Sequence, residues 1–344
     1  MRQLTRFAAV LASATVLLAG CAQPNPEAGE SGGSSSGVRV GLAYDVGGRG
    51  DQSFNDAAAR GLDRATKAFD LESEELEASD GEPESAREDR LIQLADAGYN
   101  PIIAVGFAYS SAVAKVAPQY PDVSFAIVDD AEATGDNIAN LLFAEEEGSF
   151  LVGAAAAMKT KTDHIGFVGG VEVPLIQKFE AGYIAGAEEV NPNIRVDTTY
   201  LTQPPDFSGF ADPAKGKTAA QGMYDNGADI VYHAAGGSGL GVFQAAAASG
   251  GRAIGVDSDQ YKTATPALRK VILTSMIKKV DVAVYDYLKA FVDGKPLSGE
   301  QVYDLEDNGV AYSTSGGYID DITKQLQQYQ QQIIAGEIKV PSTP

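Results

Sequence analysis

The sequence predicts an α/β protein of two lobes, each a doubly wound parallel sheet, and three observations predict it. From Val38 onward short β-branched runs alternate with amphipathic stretches, the pattern of a parallel sheet covered by helices on both faces. The alternation restarts once, near residue 164. The 307 residues from Val38 to Pro344 hold two domains at roughly 150 residues each.

Residues 1–20 read as a signal peptide and not as fold. Arg2 and Arg6 give a positive start, Phe7 to Leu18 an apolar core too short for a permanent span, and Leu18-Ala19-Gly20-Cys21 a small-residue cleavage site ending in a thiol. Cys21 is the single cysteine of the chain and stands where a lipid-bearing N-terminal cysteine is needed, so lipidation at Cys21 is expected. Residues 21–37, rich in Gly, Ser, Pro and Glu, hold almost no large apolar side chain and are expected to form a disordered tether.

The first α/β unit reads as strands at 38–44, 73–78, 101–106 and 123–129, with helices near 53–69, 84–97 and 109–118. The second reads as strands at 164–169, 195–201, 229–235 and 252–257, with helices near 145–159, 174–190, 213–226 and 239–249. A strand near 271–277, a helix at 279–293, a strand near 301–307 and a helix at 320–336 follow. These late elements are too few for a third domain. They are expected to return to the two lobes, with 38–143 plus about 259–294 forming the N-terminal lobe and 144–258 plus about 295–340 the C-terminal lobe.

Composition excludes several chemistries. One cysteine and two histidines, His164 and His233, leave no zinc cluster, no Cys/His nucleophile pair and no internal disulfide. No cofactor or metal is expected. The net charge of −21, or −23 once Arg2 and Arg6 are removed, repels polyanions, so no nucleic-acid partner is expected.

Open α/β sheets bind ligands beyond the carboxyl ends of their strands, which directs attention to the residues that end each predicted strand. The first strand runs into Asp45-Val46-Gly47-Gly48-Arg49-Gly50-Asp51-Gln52-Ser53-Phe54-Asn55. No Gly-Lys-Ser/Thr follows, and two aspartates oppose a phosphate, so this is not a P-loop. The cluster Gly236-Gly237-Ser238-Gly239-Leu240-Gly241 misses the dinucleotide spacing. It either lets backbone amides approach a ligand or the opposing lobe, or is simply a tight turn. Asp129, Asp130 and Asp257 end other strands, and carboxylates there can accept hydrogen bonds from adjacent hydroxyls or merely cap and turn the chain. Lys278 could balance such buried acids.

Taken together, these segments resemble the basic membrane protein lipoproteins, a family that includes purine-nucleoside receptors of ABC importers. The resemblance rests on Asp45-Val46-Gly47-Gly48 with Asp51 to Asn55, Phe179-Glu180-Ala181-Gly182, Phe210-Ala211-Asp212-Pro213 with Lys215-Gly216, Ala235 to Phe243, Gly255-Val256-Asp257 and Thr274 to Lys278. It implies a type I periplasmic-binding-protein fold with three crossovers between the lobes, no enzymatic activity, and ABC permease subunits as partners. It also implies that Phe54 and Phe210 sandwich a purine ring, that Asp45, Asn55 and Asp129 bond polar edges of the nucleoside, that Gly236 lies at the ligand, and that Asp257 and Lys278 hold ribose hydroxyls. Phe207 and Phe179 are reserve candidates for stacking. The expected protein is therefore a monomeric, lipid-anchored receptor on the extracytoplasmic face of the membrane.

Three other readings stay open on the residues alone. One is the same fold with a sugar or signalling metabolite, although the chain has no tryptophan to offer a sugar face. Another is a sensing lipoprotein coupled to no permease. The third is an exported nucleoside hydrolase, against which stands the lack of a Gly-x-Ser-x-Gly turn or an assembled triad.

Overall fold

The structure, a computed structural model, describes residues 37–79 and 81–344. The expected signal peptide, Cys21 and the tether as far as residue 36 lie outside the described residues.

The first sheet collects β1 (Arg39–Ala43), β2 (Glu72–Leu76), β3 (Ile102–Val105), β4 (Phe125–Val128) and β5 (Ile138–Phe143). Its helices are α1 (Phe54–Phe69), α2 (Glu84–Asp96) and α3 (Ser110–Val116). The second begins after α4 (Glu145–Lys159) and collects β6 (His164–Val171), β7 (Arg195–Thr202), β8 (Ile230–Ala234), β9 (Arg252–Asp257) and β10 (Ile272–Lys278). Its helices are α5 (Pro174–Val190), α6 (Pro213–Asp225), α7 (Gly239–Ser249) and the single turns α8 (Gln260–Thr263) and α9 (Pro266–Arg269). The chain ends in α10 (Val280–Val292), β11 (Gly299–Tyr303), β12 (Val310–Tyr312) and α11 (Thr323–Ile334).

The two sheets share one topology. The first runs β11-β5-β4-β3-β1-β2 and the second β12-β10-β9-β8-β6-β7, parallel throughout except where β12 pairs antiparallel to β10. Central strands such as β3 (IIAV) and β4 (FAIV) are wholly buried, as unbroken apolar runs covered on both faces must be. At one edge β2 (ESEEL) carries three glutamates, whose charge discourages pairing with another chain.

Three differences from expectation stand out. Residues 138–143 form β5, a strand that the sequence did not mark, because IANLLF runs almost directly into α4 with no turn between. The strand at 272–278, expected with the N-terminal lobe, is a member of the second sheet, reached from β9 by the short link of α8 and α9. The strand expected near 301–307, assigned to the C-terminal lobe, is Gly299–Tyr303 and pairs with β5 in the first sheet. The sixth strand of each sheet thus arrives only after the chain has crossed again.

The chain passes between the lobes three times, at Phe143–Glu145, at Lys278–Val280 and between Tyr303 and Val310. These segments are bonded to one another. Ala144 N donates to Tyr303 O at 3.0 Å and Lys279 N to Gly309 O at 2.9 Å. On the second-lobe side α4 is clasped to α5 at van der Waals contact of backbones, because a Cβ on Gly182 or Gly186 would fall 2.1 Å from Glu146 O or 1.9 Å from Phe150 O. The Phe-Glu-Ala-Gly segment of α5 therefore serves helix packing through its glycine and the cleft through its phenylalanine.

Candidate ligand-binding site

The carboxyl ends of both sheets face one cavity between the lobes, with about 520 Å³ of non-atom space including the solvent at its mouth. Asp45, Phe54, Asn55, Asp129, Phe210, Gly236, Asp257 and Lys278, the eight ligand-binding candidates from the sequence, all line it.

The turn after β1 is built by carboxylates. Asp51 Oδ1 accepts from Ser53 N and Asp56 N at 2.8 and 3.0 Å, and its Oδ2 accepts from Asn55 N at 2.8 Å. The negative charge thus caps the positive end of α1, where an anionic ligand would otherwise sit. Gly47, Gly48 and Gly50 take positive φ between Asp45 and this cap. Arg49 ties the loop outward to Asp63 and Glu75, each at 2.9 Å. Asn55 is engaged by the loop itself: its Oδ1 accepts from Asp45 N at 3.1 Å, and its Nδ2 donates to Val46 O at 3.3 Å and Asp51 Oδ2 at 3.2 Å. It shapes the wall it stands in.

On the hinge side the cavity holds a buried charge cluster. Lys278, at the end of β10, is 1% exposed, with its ammonium 2.5 Å from Asp129 Oδ2 and 3.0 Å from Glu145 Oε1. The Glu145 contact lacks hydrogen-bond geometry and is purely Coulombic. Three ring centroids surround the ammonium, those of Phe143 at 5.1 Å, Phe54 at 5.2 Å and Phe179 at 5.4 Å, a cation–π cage. Burial opposes the charge on Lys278, but Asp129, Glu145 and Asp257 outweigh it and hold the ammonium above its ordinary range. Burial likewise pushes Asp129 and Asp257 up, with Lys278 offsetting only part of the rise. Asp129 Oδ1 is buried without a hydrogen-bond partner, an acceptor left for a donor.

The lobes meet around the cavity. Ser53 Oγ donates to Asp257 Oδ2 at 2.5 Å, Ser258 Oγ to Ser53 O at 2.9 Å, and Gln260 Nε2 to Gln52 O at 3.2 Å. Gln52, Asp129 and Asp257 all take left-handed backbone conformations, with φ of 57°, 68° and 62°, a strain that clusters at functional sites. Phe107 of the first lobe packs edge-on to Phe207 and Phe210 of the second, at 5.6 and 6.3 Å between centroids. Of the candidates for stacking, Phe210 and Phe179 line the cavity, whereas Phe207 lies outside it beneath Phe107 and the Arg87 guanidinium.

Sequence reasoning missed Glu145, Phe107 and Gly106. Phe107 directly follows a predicted strand, so the strand-end rule could have reached it. Glu145 sits fully buried at the start of α4 with no local signal to set it apart from Glu146 and Glu147. The glycine cluster 236–241 serves mostly packing, since Gly239 lies flat against His233 and Gly241 against Pro213 O, while Gly236 alone faces the cavity.

Burial raises Asp45 to about 6, against the lowering effect of its bond from Val46 N and of nearby Arg87. A carboxyl raised from about 3.9 in the unfolded chain favours folding below that pH, and loses the benefit as pH climbs through about 6. The ligand-free Asp45→Asn variant should therefore be the more stable protein at pH 7.5, by on the order of 2 kcal/mol. Its advantage should shrink toward pH 4. Calorimetric melting of both proteins across that range checks the sign; a pH-independent difference would count against it.

Comparison with known proteins fits this architecture. Residues 38–344 match the family model described as ABC transporter substrate-binding protein PnrA-like, the Bmp family. The chain belongs to this family. Among Bmp-like relatives, a Listeria innocua protein named CD4+ T-cell-stimulating antigen is 36% identical, over 97% of both chains. A Lactococcus lactis protein named ABC transporter nucleoside-binding protein BmpA is 33% identical, over 99% of both. Among solved structures, an ABC transporter solute-binding protein from Aeropyrum pernix matches with a TM-score of 0.77 and 30% identity, covering 89% of this chain and 93% of its own. The Bmp chain thus has the fold of periplasmic-binding-protein-type solute receptors, and its family is one of substrate-binding proteins of ABC transporters. Among the described residues, no helix is long and apolar enough to cross a membrane, and no cluster of three His, Cys, Asp or Glu side chains is placed to hold a metal.

Proposed function

We propose that this protein captures a purine nucleoside between its lobes and presents it to an ABC permease. The observation that carries the reading is the pairing of aromatic and acidic surface in one cavity: Phe54 from the first lobe and Phe210 from the second border the same space as Asp45, Asp129 and Asp257. A nucleobase offers flat faces to aromatic rings, and its ribose offers hydroxyl donors to carboxylates. Lys278 is already matched by Asp129 and Glu145, so the site favours a neutral ligand over a phosphorylated one. The name of the Lactococcus lactis relative points the same way. Binding is read as hinge closure, with ligand bridging the lobes and the closed form offered to the permease.

The test is calorimetric titration of the purified protein, unfolded and refolded to strip carried-over ligand, with adenosine, guanosine, inosine, cytidine, uridine, ribose and adenine. Tight binding confined to purine nucleosides, with no product formed, supports the proposal. Silence toward all of them would overturn the nucleoside assignment.

Anchoring through Cys21 belongs to the same proposal, and a Pyrococcus abyssi relative 34% identical over 88% of this chain is named a lipoprotein. In Cys21→Ser the protein should move from the membrane to the soluble fraction and lose incorporation of labelled fatty acid. Retention in the membrane would rule out this anchor.

A further inference from the structure

Serine is a favoured residue at the N-cap of a helix, where its hydroxyl accepts from the backbone N–H of the second or third helical residue. Ser53 occupies that position ahead of α1 and makes no such bond. Asp51 has taken the task over, since its oxygens accept from Asn55 N and Asp56 N, the two donors an N-cap side chain would meet. The Ser53 hydroxyl is turned instead across the cleft, where it donates to Asp257 Oδ2 at 2.5 Å. Ser53 is fully buried, yet it is not part of the cavity lining.

That bond belongs to a set running from one short stretch of the second lobe to one end of α1. Ser258 Oγ accepts from Arg60 Nη2 at 2.8 Å and donates to Ser53 O at 2.9 Å. Gln260 Nε2 donates to Gln52 O. The Gln260 amide is oriented for this, because its Oε1 accepts from Val256 N at 2.9 Å and lies 3.1 Å from His233 Nε2. In every pair one partner stands on each lobe, so hinge opening breaks the whole set.

We propose that Ser53 is a positioning residue that couples closure of the lobes to ligand capture. Its hydroxyl holds Asp257 Oδ2 in the closed form alone, leaving Oδ1, which has no hydrogen-bond partner among the described residues, for a ligand hydroxyl. The proposal rests on the nucleoside reading for the identity of the ligand and on the interlobe bonds for the closure. A hydrogen bond to a charged acceptor that forms in one state only shifts the population toward that state, here by roughly ten- to a hundredfold. Ser53 thus raises affinity without touching the ligand.

The experiment follows binding and dissociation of adenosine, guanosine and inosine on the ligand-stripped full chain, comparing wild type with Ser53→Ala, Ser53→Asp and Ser258→Ala. Ser53→Ala should weaken binding by roughly tenfold or more, with the loss in the dissociation rate, because ligand enters an open form that lacks the bond. Aspartate caps a helix as well as serine does, but it would set a second carboxylate against Asp257 when the cleft shuts. Ser53→Asp should therefore bind more weakly than Ser53→Ala, the reverse of what a capping role predicts. Ser258→Ala leaves cap and cavity alone and removes the reciprocal bond, so it should speed dissociation several-fold even if the Ser53 variants fail to fold. Wild-type affinity in Ser53→Ala, binding by Ser53→Asp as tight as that of Ser53→Ala or tighter, or wild-type dissociation in Ser258→Ala would overturn the inference. If wild type binds no nucleoside, the nucleoside reading fails and small-angle scattering of the ligand-free chain decides the clamp. Ser53→Asp should then open the lobes and enlarge the radius of gyration relative to wild type, and equal radii would overturn it.

Discussion

Lys278→Met is expected to destabilise the ligand-free protein by about 3–5 kcal/mol at pH 7.5, the cost of leaving buried carboxylates without their cation. Methionine nearly matches the stem of lysine and keeps the contacts with Phe54, Phe143 and Phe179, so packing changes little and charge changes much. Asp129 and Glu145, both buried, would then face each other across an apolar cage, and one or both must take up a proton. The loss should accordingly be smaller at pH 5 than at pH 7.5, because protonation is then less costly. Denaturant titration at the two pH values measures both quantities, and midpoints equal to wild type at pH 7.5 would mean that the cluster gives no net stability. The same variant should lose ligand binding, since Lys278 joins the first lobe, the hinge and the second lobe at one point.

Phe54→Ala should weaken nucleoside binding by roughly 5- to 150-fold, the equivalent of about 1–3 kcal/mol for one lost stacking face. Phe54 opens α1 and is only partly buried, so the fold should persist. The informative control is Phe207→Ala. Phe207 lies outside the cavity against Phe107 and Arg87, and its removal should cost several-fold less affinity than removal of Phe54 or Phe210. Titration calorimetry on the three variants would expose a different stacking partner if Phe207→Ala proved the most damaging.

Much of this site could be read in advance because strand ends are visible in a sequence. Asp45, Asp129, Asp257 and Lys278 each close a β-branched run, and parallel topology carries all such ends to one face. Phe54 and Asn55 were reachable because a glycine turn announces a helix start. What could not be read was which lobe each late strand would join. That choice depends on where the chain crosses, and neither β10 nor β11 carries a local mark of its destination. Glu145 was invisible for a related reason: its importance comes from Lys278, 133 positions away in the chain. Asn55 shows a further limit. Residue type and position placed it at the cavity, but its amide is spent on Asp45, Val46 and Asp51.

The exchange of sixth strands has a consequence for how the molecule is made. The sheet whose first strand begins at Arg39 keeps an open edge on β5 until Gly299–Tyr303 has been synthesised, and the other sheet waits for Val310–Tyr312. A ribosome that has finished four-fifths of the chain has therefore completed neither half. No single cut in the gene yields one whole lobe, and a chimaera that trades one lobe with a relative would have to exchange two separate stretches at once.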